Sequence, residues 1–210
     1  MGVYIENFQD SLPDPKKVKE IKKDLESKGV KYIYSNWIDF LGSPKTKPMP
    51  ISDFEDLCSG KGPQFAVHSV SFVPELTPAD NDQIPVPDLD SLVICPWDKT
   101  CAWVFADLWW NDKPYDVCPR QTLKKQIHKN AQADLKFYVG IEPEFFVMKW
   151  EDGKPVKAID NDPIPLRRQA FGYDAEYSID GMNFLKEIID ILNDDLHWDL
   201  HDVVAEGAYG

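Results

Sequence analysis

Two glutamates one residue apart, Glu142 and Glu144 in the run GIEPEFFV (residues 140–147), constrain this chain more than any other feature. An extended backbone points alternate side chains to one face, so both carboxylates are expected to look the same way. Phe145, Phe146 and Val147 have the bulk of a buried strand over residues 137–148, and Pro143 removes a backbone donor and keeps the stretch extended. Two aligned carboxylates present hard oxygen ligands suited to magnesium or manganese, and paired ions roughly 3.5–4 Å apart recur in displacement at phosphorus. Taken alone, such a pair is more often the solvated face of an edge strand.

The rest of the chain has a legible order. Asp14 is an N-cap, Pro15 suits the first helical position, and Val18, Ile21 and Leu25 share one face before Gly29 stops the helix. Residues 30–38 and 45–49 read as a hairpin around Gly42-Ser43-Pro44, and residues 91–95 and 102–108 as two more strands, giving a mixed sheet partnered by a helix. A boundary falls at residues 115–120, before a helix over 121–130. Residues 151–154, EDGK, make a hairpin turn, and a long loop follows. Ser178 is placed to cap a helix with Met182, Leu185, Ile188, Ile189 and Leu192 on one stripe, ending at Asp194-Asp195. Residues 196–205 return as a strand carrying Glu206 at its end.

Composition excludes several functions. A net charge of −13 over 210 residues is the wrong sign for a general nucleic-acid surface or an anionic membrane surface. The first residues carry acids and no apolar core of a signal peptide, and no apolar run approaches the ~20 residues that span a bilayer, so a cytoplasmic protein is expected. Cys58, Cys95, Cys101 and Cys118 lack C-x-x-C pairing and read as reduced, packed thiols. His68, His197 and His201 read as ordinary surface or core residues.

GIEPEFFV resembles the GPEPEFF signature of the glutamine synthetase family. Three further elements follow the family's order: WIDFLGSPKTKPMP (residues 37–50) resembles its N-terminal aspartate segment, FGYD (171–174) its GGYF turn, and EGAYG (206–210) the segment leading to a further metal-binding glutamate. The resemblance implies an α+β protein, with a small β-grasp-like domain over residues 1–115 followed by the first, incomplete part of the catalytic domain over 116–210. It implies an ATP-dependent ligase that joins glutamate to ammonia or an amine through a γ-glutamyl phosphate. Two or more Mg2+ or Mn2+ ions would serve it, Glu144 and Glu206 sharing the ion nearer glutamate and Glu142 holding the ion nearer the nucleotide. Asp39, reaching in from a neighbouring subunit, would form the amine side with Tyr173 and Glu206, within homo-oligomeric rings such as stacked hexamers.

Val204 and Ala205 stand where family members commonly carry histidines, and residues 75–110 look more like the branches acting on alkyl- or arylamines, such as methylamine or aniline. A ligase specific for an organic amine is therefore one alternative, and a catalytically silent ring-forming scaffold another. Three converging carboxylates cost stability by mutual repulsion, which a silent scaffold has no reason to keep. No segment resembles the family's nucleotide-binding and glutamate-binding arginines, so the 210 residues alone are expected to be inactive.

Overall fold

A computed structural model describes residues 4–71, 75–158, 172–173 and 175–204. The fold is mixed α+β, and the chain divides into two compact units, Met1–Phe137 and Tyr138–Gly210.

In the first unit, α1 (Phe8–Ser11) leads to α2 (Pro15–Ser27), whose first turn is closed by Asp14 Oδ1 accepting the Lys16 amide at 3.0 Å. Gly29, at φ +87°, takes the left-handed conformation that ends the helix without a side-chain clash. Val18 and Leu25 are buried and Ile21 packs beside them, as the spacing predicts. The chain then forms β1 (Tyr32–Ile38) and β2 (Pro44–Pro50), paired antiparallel from Tyr32↔Pro50 to Ile38↔Pro44. Along β1 the alternation is strict: Ile33, Ser35 and Trp37 are buried, and Asp39 continues the same phase inward.

Next come α3 (Phe54–Cys58), β3 (Phe65–Ala66), α4 (Val67–Ser71), β4 (Asp82–Pro87), β5 (Val93–Ile94), β6 (Cys101–Trp110) and β7 (Lys113–Pro114). Among the described residues the strands form one seven-stranded sheet in the order β2-β1-β6-β4-β3, with β5 and β7 also paired to β6. The β1–β6 pairing is parallel and the others are antiparallel. Its long central strand β6 makes it the spine of the unit. Ile33, Met49, Ala102 and Val104 on the sheet pack against Val18 and Leu25 of α2 and Phe54 and Leu57 of α3. Strand β4 escapes sequence reading because Pro85 and Pro87 argue against a strand, yet both sit in its ladder with β6.

Helix α5 (Pro119–Gln132) starts two residues earlier than the sequence suggests, with Pro119 in its first turn. It is tied to the sheet by a charge cluster. Arg120 Nη2 lies 2.6 Å from Asp88 Oδ2 and its Nε 3.0 Å from Asp107 Oδ1, while Lys124 pairs with both aspartates. All four cysteines are free and buried, and burial pushes the Cys58 thiol up to about 12.

In the second unit the strand expected over residues 137–148 is not formed; β8 covers Met148–Glu151 alone. A strand persists only as part of a ladder, and residues 137–147 enter no strand pairing among the described residues. Ile141 is 87% exposed and Val139 78%, with Phe145 and Phe146 also exposed. Strands β8 and β9 (Lys154–Lys157) close a hairpin at Glu151↔Lys154. Its two loop residues, Asp152 at φ +48° and Gly153 at φ +75°, give the left-handed pair that a two-residue hairpin favours.

Helix α6 spans Ala175–Asp190, so it begins before Ser178 instead of being capped by it, and it continues into a wider turn at Ile191–Asp195. The strand expected over residues 196–205 is absent through residue 204. There the backbone folds back on the helix end instead: the Leu196 amide donates to Ile191 O, Trp198 to Leu192 O, and Leu200 to Asn193 Oδ1, with His197 left-handed at φ +54°. Those local bonds consume the donors that a ladder would need.

Candidate active-site residues

The β1–β2 loop is built around Asp39. Its Oδ1 accepts the amides of Leu41 at 3.0 Å and Ser43 at 2.8 Å, its own amide donates to Ser43 O, and Gly42, at φ +81°, turns the chain so that its amide reaches Asp39 O. Asp39 Oδ2 stands 3.4 Å from Lys45 Nζ. The carboxylate is 1% exposed. That burial alone would raise its proton affinity, but the Ser43 and Leu41 amides and the Lys45 ammonium outweigh it and hold the carboxyl below its ordinary range. Asp39 is thus a fixed anion beneath a loop tip whose outward side chains are the exposed Phe40 and Leu41.

In the second unit, Glu142 and Glu144 are both exposed, in a stretch without regular secondary structure, and neither makes an ion pair or hydrogen bond to another described residue. Tyr173 is 80% exposed and left-handed at φ +64°. Glu206, the rest of EGAYG, and Phe171 and Asp174 of FGYD lie outside the described residues. The structure therefore places Asp39 in the first unit and Glu142, Glu144 and Tyr173 in the second.

Among the described residues no three His, Cys, Asp or Glu side chains come together to hold a metal. The donor chemistry of Glu142 and Glu144 nevertheless suits hard divalent cations, and neither carboxylate is engaged by another described residue.

Sequence reasoning missed the cluster of Asp88, Asp107, Arg120 and Lys124, because its members are scattered over the turn after β4, strand β6 and helix α5, with no motif to link them. It borders a cavity of about 240 Å3 that Asp14, Lys17 and Gln121 also line. Burial alone would raise Asp88, yet Lys124 and Arg120 hold its carboxyl below the ordinary value.

Comparison with known proteins gives this geometry its context. Residues 116–210 match the family described as glutamine synthetase, catalytic domain. A glutamine synthetase of Rhizobium meliloti (strain 1021) is 32% identical over 183 residues, which are 87% of this chain and 40% of that protein. A glutamate–methylamine ligase of Methyloversatilis universalis is 30% identical over 147 residues, 69% of this chain and 33% of that protein. A solved structure described as "Apo GmaS without ligand" shares the fold with a TM-score of 0.72 at 22% identity, covering 89% of this chain and 42% of the other. The chain belongs to the glutamine synthetase family. It spans less than half the length of these relatives.

Proposed function

We propose that this chain is part of an ATP-dependent ligase that joins glutamate to ammonia or a small amine. The observation that carries this reading is the Glu142-Pro143-Glu144 run, exposed and without an ion-pair or hydrogen-bond partner among the described residues, within the stretch that matches the catalytic domain. The first unit is read as a β-grasp-like domain, supported by its parallel β1–β6 core and the helix packed on the sheet.

Amide formation from a carboxylate in water is uphill, so the carboxylate is first activated. An oxygen of the glutamate side chain attacks the terminal phosphorus of ATP, the bond to ADP breaks, and an acyl phosphate forms. The amine nitrogen then attacks the acyl carbon, phosphate leaves with its bonding electrons, and the nitrogen gives up a proton. Divalent ions, when bound, neutralise and orient the two negatively charged reactants. Glu142, Glu144 and Glu206 would hold them.

Asp39 is proposed to act on the amine side with Tyr173 and Glu206. Because its carboxyl has lowered proton affinity, its contribution is to anchor a cationic amine electrostatically, leaving proton removal to a more basic group. Phe40 and Leu41, exposed at the tip of its loop, suit insertion against a neighbouring subunit in a closed ring. The inward aim of the Asp39 carboxylate favours a second reading, in which it shapes that tip and does not itself touch the amine.

The methylamine ligase among the relatives supports an organic amine as the substrate alternative. Calorimetric titration with Mn2+ tests the metal assignment: Glu142→Gln and Glu144→Gln should each remove or weaken binding in the full-length protein. Unchanged affinity in both variants would contradict it.

A further inference from the structure

A second cluster of polar groups sits behind the Asp39 loop, wholly within the first unit. The strand alternation that buries Trp37 also turns Asp39 inward, because the two are separated by one residue along an extended chain. Tyr115 reaches the same place from the segment after β7, where its amide donates to Leu108 O at 2.9 Å. Trp37, Asp39 and Tyr115, with Gln83 and Leu108, line a cavity of about 10 Å3. That is about the space a single water molecule occupies when counted by positions of its centre.

Among the described residues, the indole Nε1 of Trp37 and the hydroxyl of Tyr115 are buried without a hydrogen-bond partner, and Oδ2 of Asp39 makes no hydrogen bond, having only the Lys45 ammonium 3.4 Å away as an ion-pair partner. Buried polar groups are rarely left in this condition, because each forfeits its bonds to solvent. Their chemistry is complementary to one molecule. The indole can only donate, the carboxylate oxygen can only accept, and the phenol can do either. Water accepts from the indole, donates to the carboxylate and completes its set with the phenol. An ammonium or metal cation could not accept from Trp37, and nothing larger than a single water fits the space.

We propose that one internal water molecule is a fixed component of this fold, bridging Trp37, Asp39 and Tyr115, and that Trp37 and Tyr115 are positioning residues for the Asp39 loop. The aromatic wall is stiff: the Trp37 ring stacks on Phe65 with centroids 4.0 Å apart and planes at 6°. The water thus links a rigid ring to the one loop carboxylate whose other oxygen already clamps the Leu41 and Ser43 amides. The site itself stands on the cavity; only its consequence for catalysis rests on the reading of Asp39 as an amine-side residue.

A crystal structure of the full-length protein resolving ordered solvent tests the site directly. We expect one density peak within about 2.7–3.2 Å of Trp37 Nε1, Asp39 Oδ2 and the Tyr115 oxygen together. In solution, the Trp37 indole proton should show a cross-relaxation signal to a long-lived water. In Tyr115→Phe the peak should weaken or vanish, the indole proton should exchange several-fold faster, and the Asp39 carboxyl should titrate at higher pH. Trp37→Phe should also lose the peak, should Tyr115→Phe fail to fold. An empty cavity in the wild-type crystal, direct bonds among the three side chains, or a cation with oxygen ligands would each overturn the proposal. If the water is present but Asp39→Ala leaves amide formation unchanged, the internal water stands and the amine-side role of Asp39 falls.

Discussion

Asp39 Oδ1 accepts the Ser43 backbone amide at 2.8 Å, which closes the β1–β2 loop on its own first residue. Asp39→Ala leaves that amide and the Leu41 amide without their acceptor. Hydrogen exchange at Leu41 and Ser43 should then accelerate, while exchange in the β1–β2 ladder stays slow. Asp39→Asn keeps an acceptor oxygen and should restore much of the protection. Unchanged exchange in the alanine variant would show that the loop is held by something else.

If the same loop also serves a neighbouring subunit, mixing separates the two roles. Asp39→Ala and Glu144→Ala subunits, each inactive alone, should regain partial activity when assembled together, because some interfaces then pair an intact loop with an intact metal site. Mixed assemblies that form but stay inactive at every ratio would confine Asp39 to its own subunit or to a structural role.

The part-buried pairing of Asp88 with Arg120 and Lys124 gives a signed pH dependence. Lys124 and Arg120 hold the folded-state affinity of Asp88 for a proton below its unfolded value, so the stabilisation is complete above the unfolded value, about 3.9. It is lost as pH falls through the lower folded value. Thermal unfolding should therefore show Tm falling with acidification in that range, and Asp88→Asn should flatten the fall. Because Arg120 and Lys124 keep Asp107 as a partner and the cluster is only part-buried, the substitution should cost about 1 kcal/mol at neutral pH. A pH profile identical to wild type would show that the pair contributes nothing.

Gly62 is needed for space. A Cβ placed there would lie 2.5 Å from Leu57 Cα and 2.6 Å from Leu57 N, both backbone atoms that cannot swing aside. Gly62→Ala should destabilise the first unit by about 1–3 kcal/mol in denaturant unfolding. Gly153→Ala, in the exposed hairpin with nothing within 4 Å, carries only its backbone penalty and should cost about 1 kcal/mol. Equal costs at the two positions would contradict the steric account.

Local patterns carried much of the fold. Asp14-Pro15 and Gly29 bracket a helix, Asp152-Gly153 names its own turn, and the alternation through Trp37 foretells a half-buried strand. What the sequence concealed depends on long-range pairing. The prolines of β4 hid a strand because its place in the ladder is set by β6, and the GIEPEFFV run looked like a strand because composition records the wish for a neighbour and cannot record its presence. The same holds for the site. The two glutamates and Asp39 stood out through motif order, whereas the link of Asp39 to Trp37 and Tyr115 needs the sheet to bring β1 and the segment after β7 together.

Ligase chemistry can be read as product and ADP from one reaction. With the full-length protein, ATP, glutamate and Mg2+ or Mn2+, ADP release should require an amine and should match the γ-glutamyl amide formed, mole for mole, with ammonium or methylamine as the nitrogen source. The same assay on the 210-residue chain alone should give neither product, and Glu144→Gln in the full-length protein should remove both. ATP hydrolysis indifferent to glutamate, or no amide with any amine while ATP and metal still bind, would contradict the assignment.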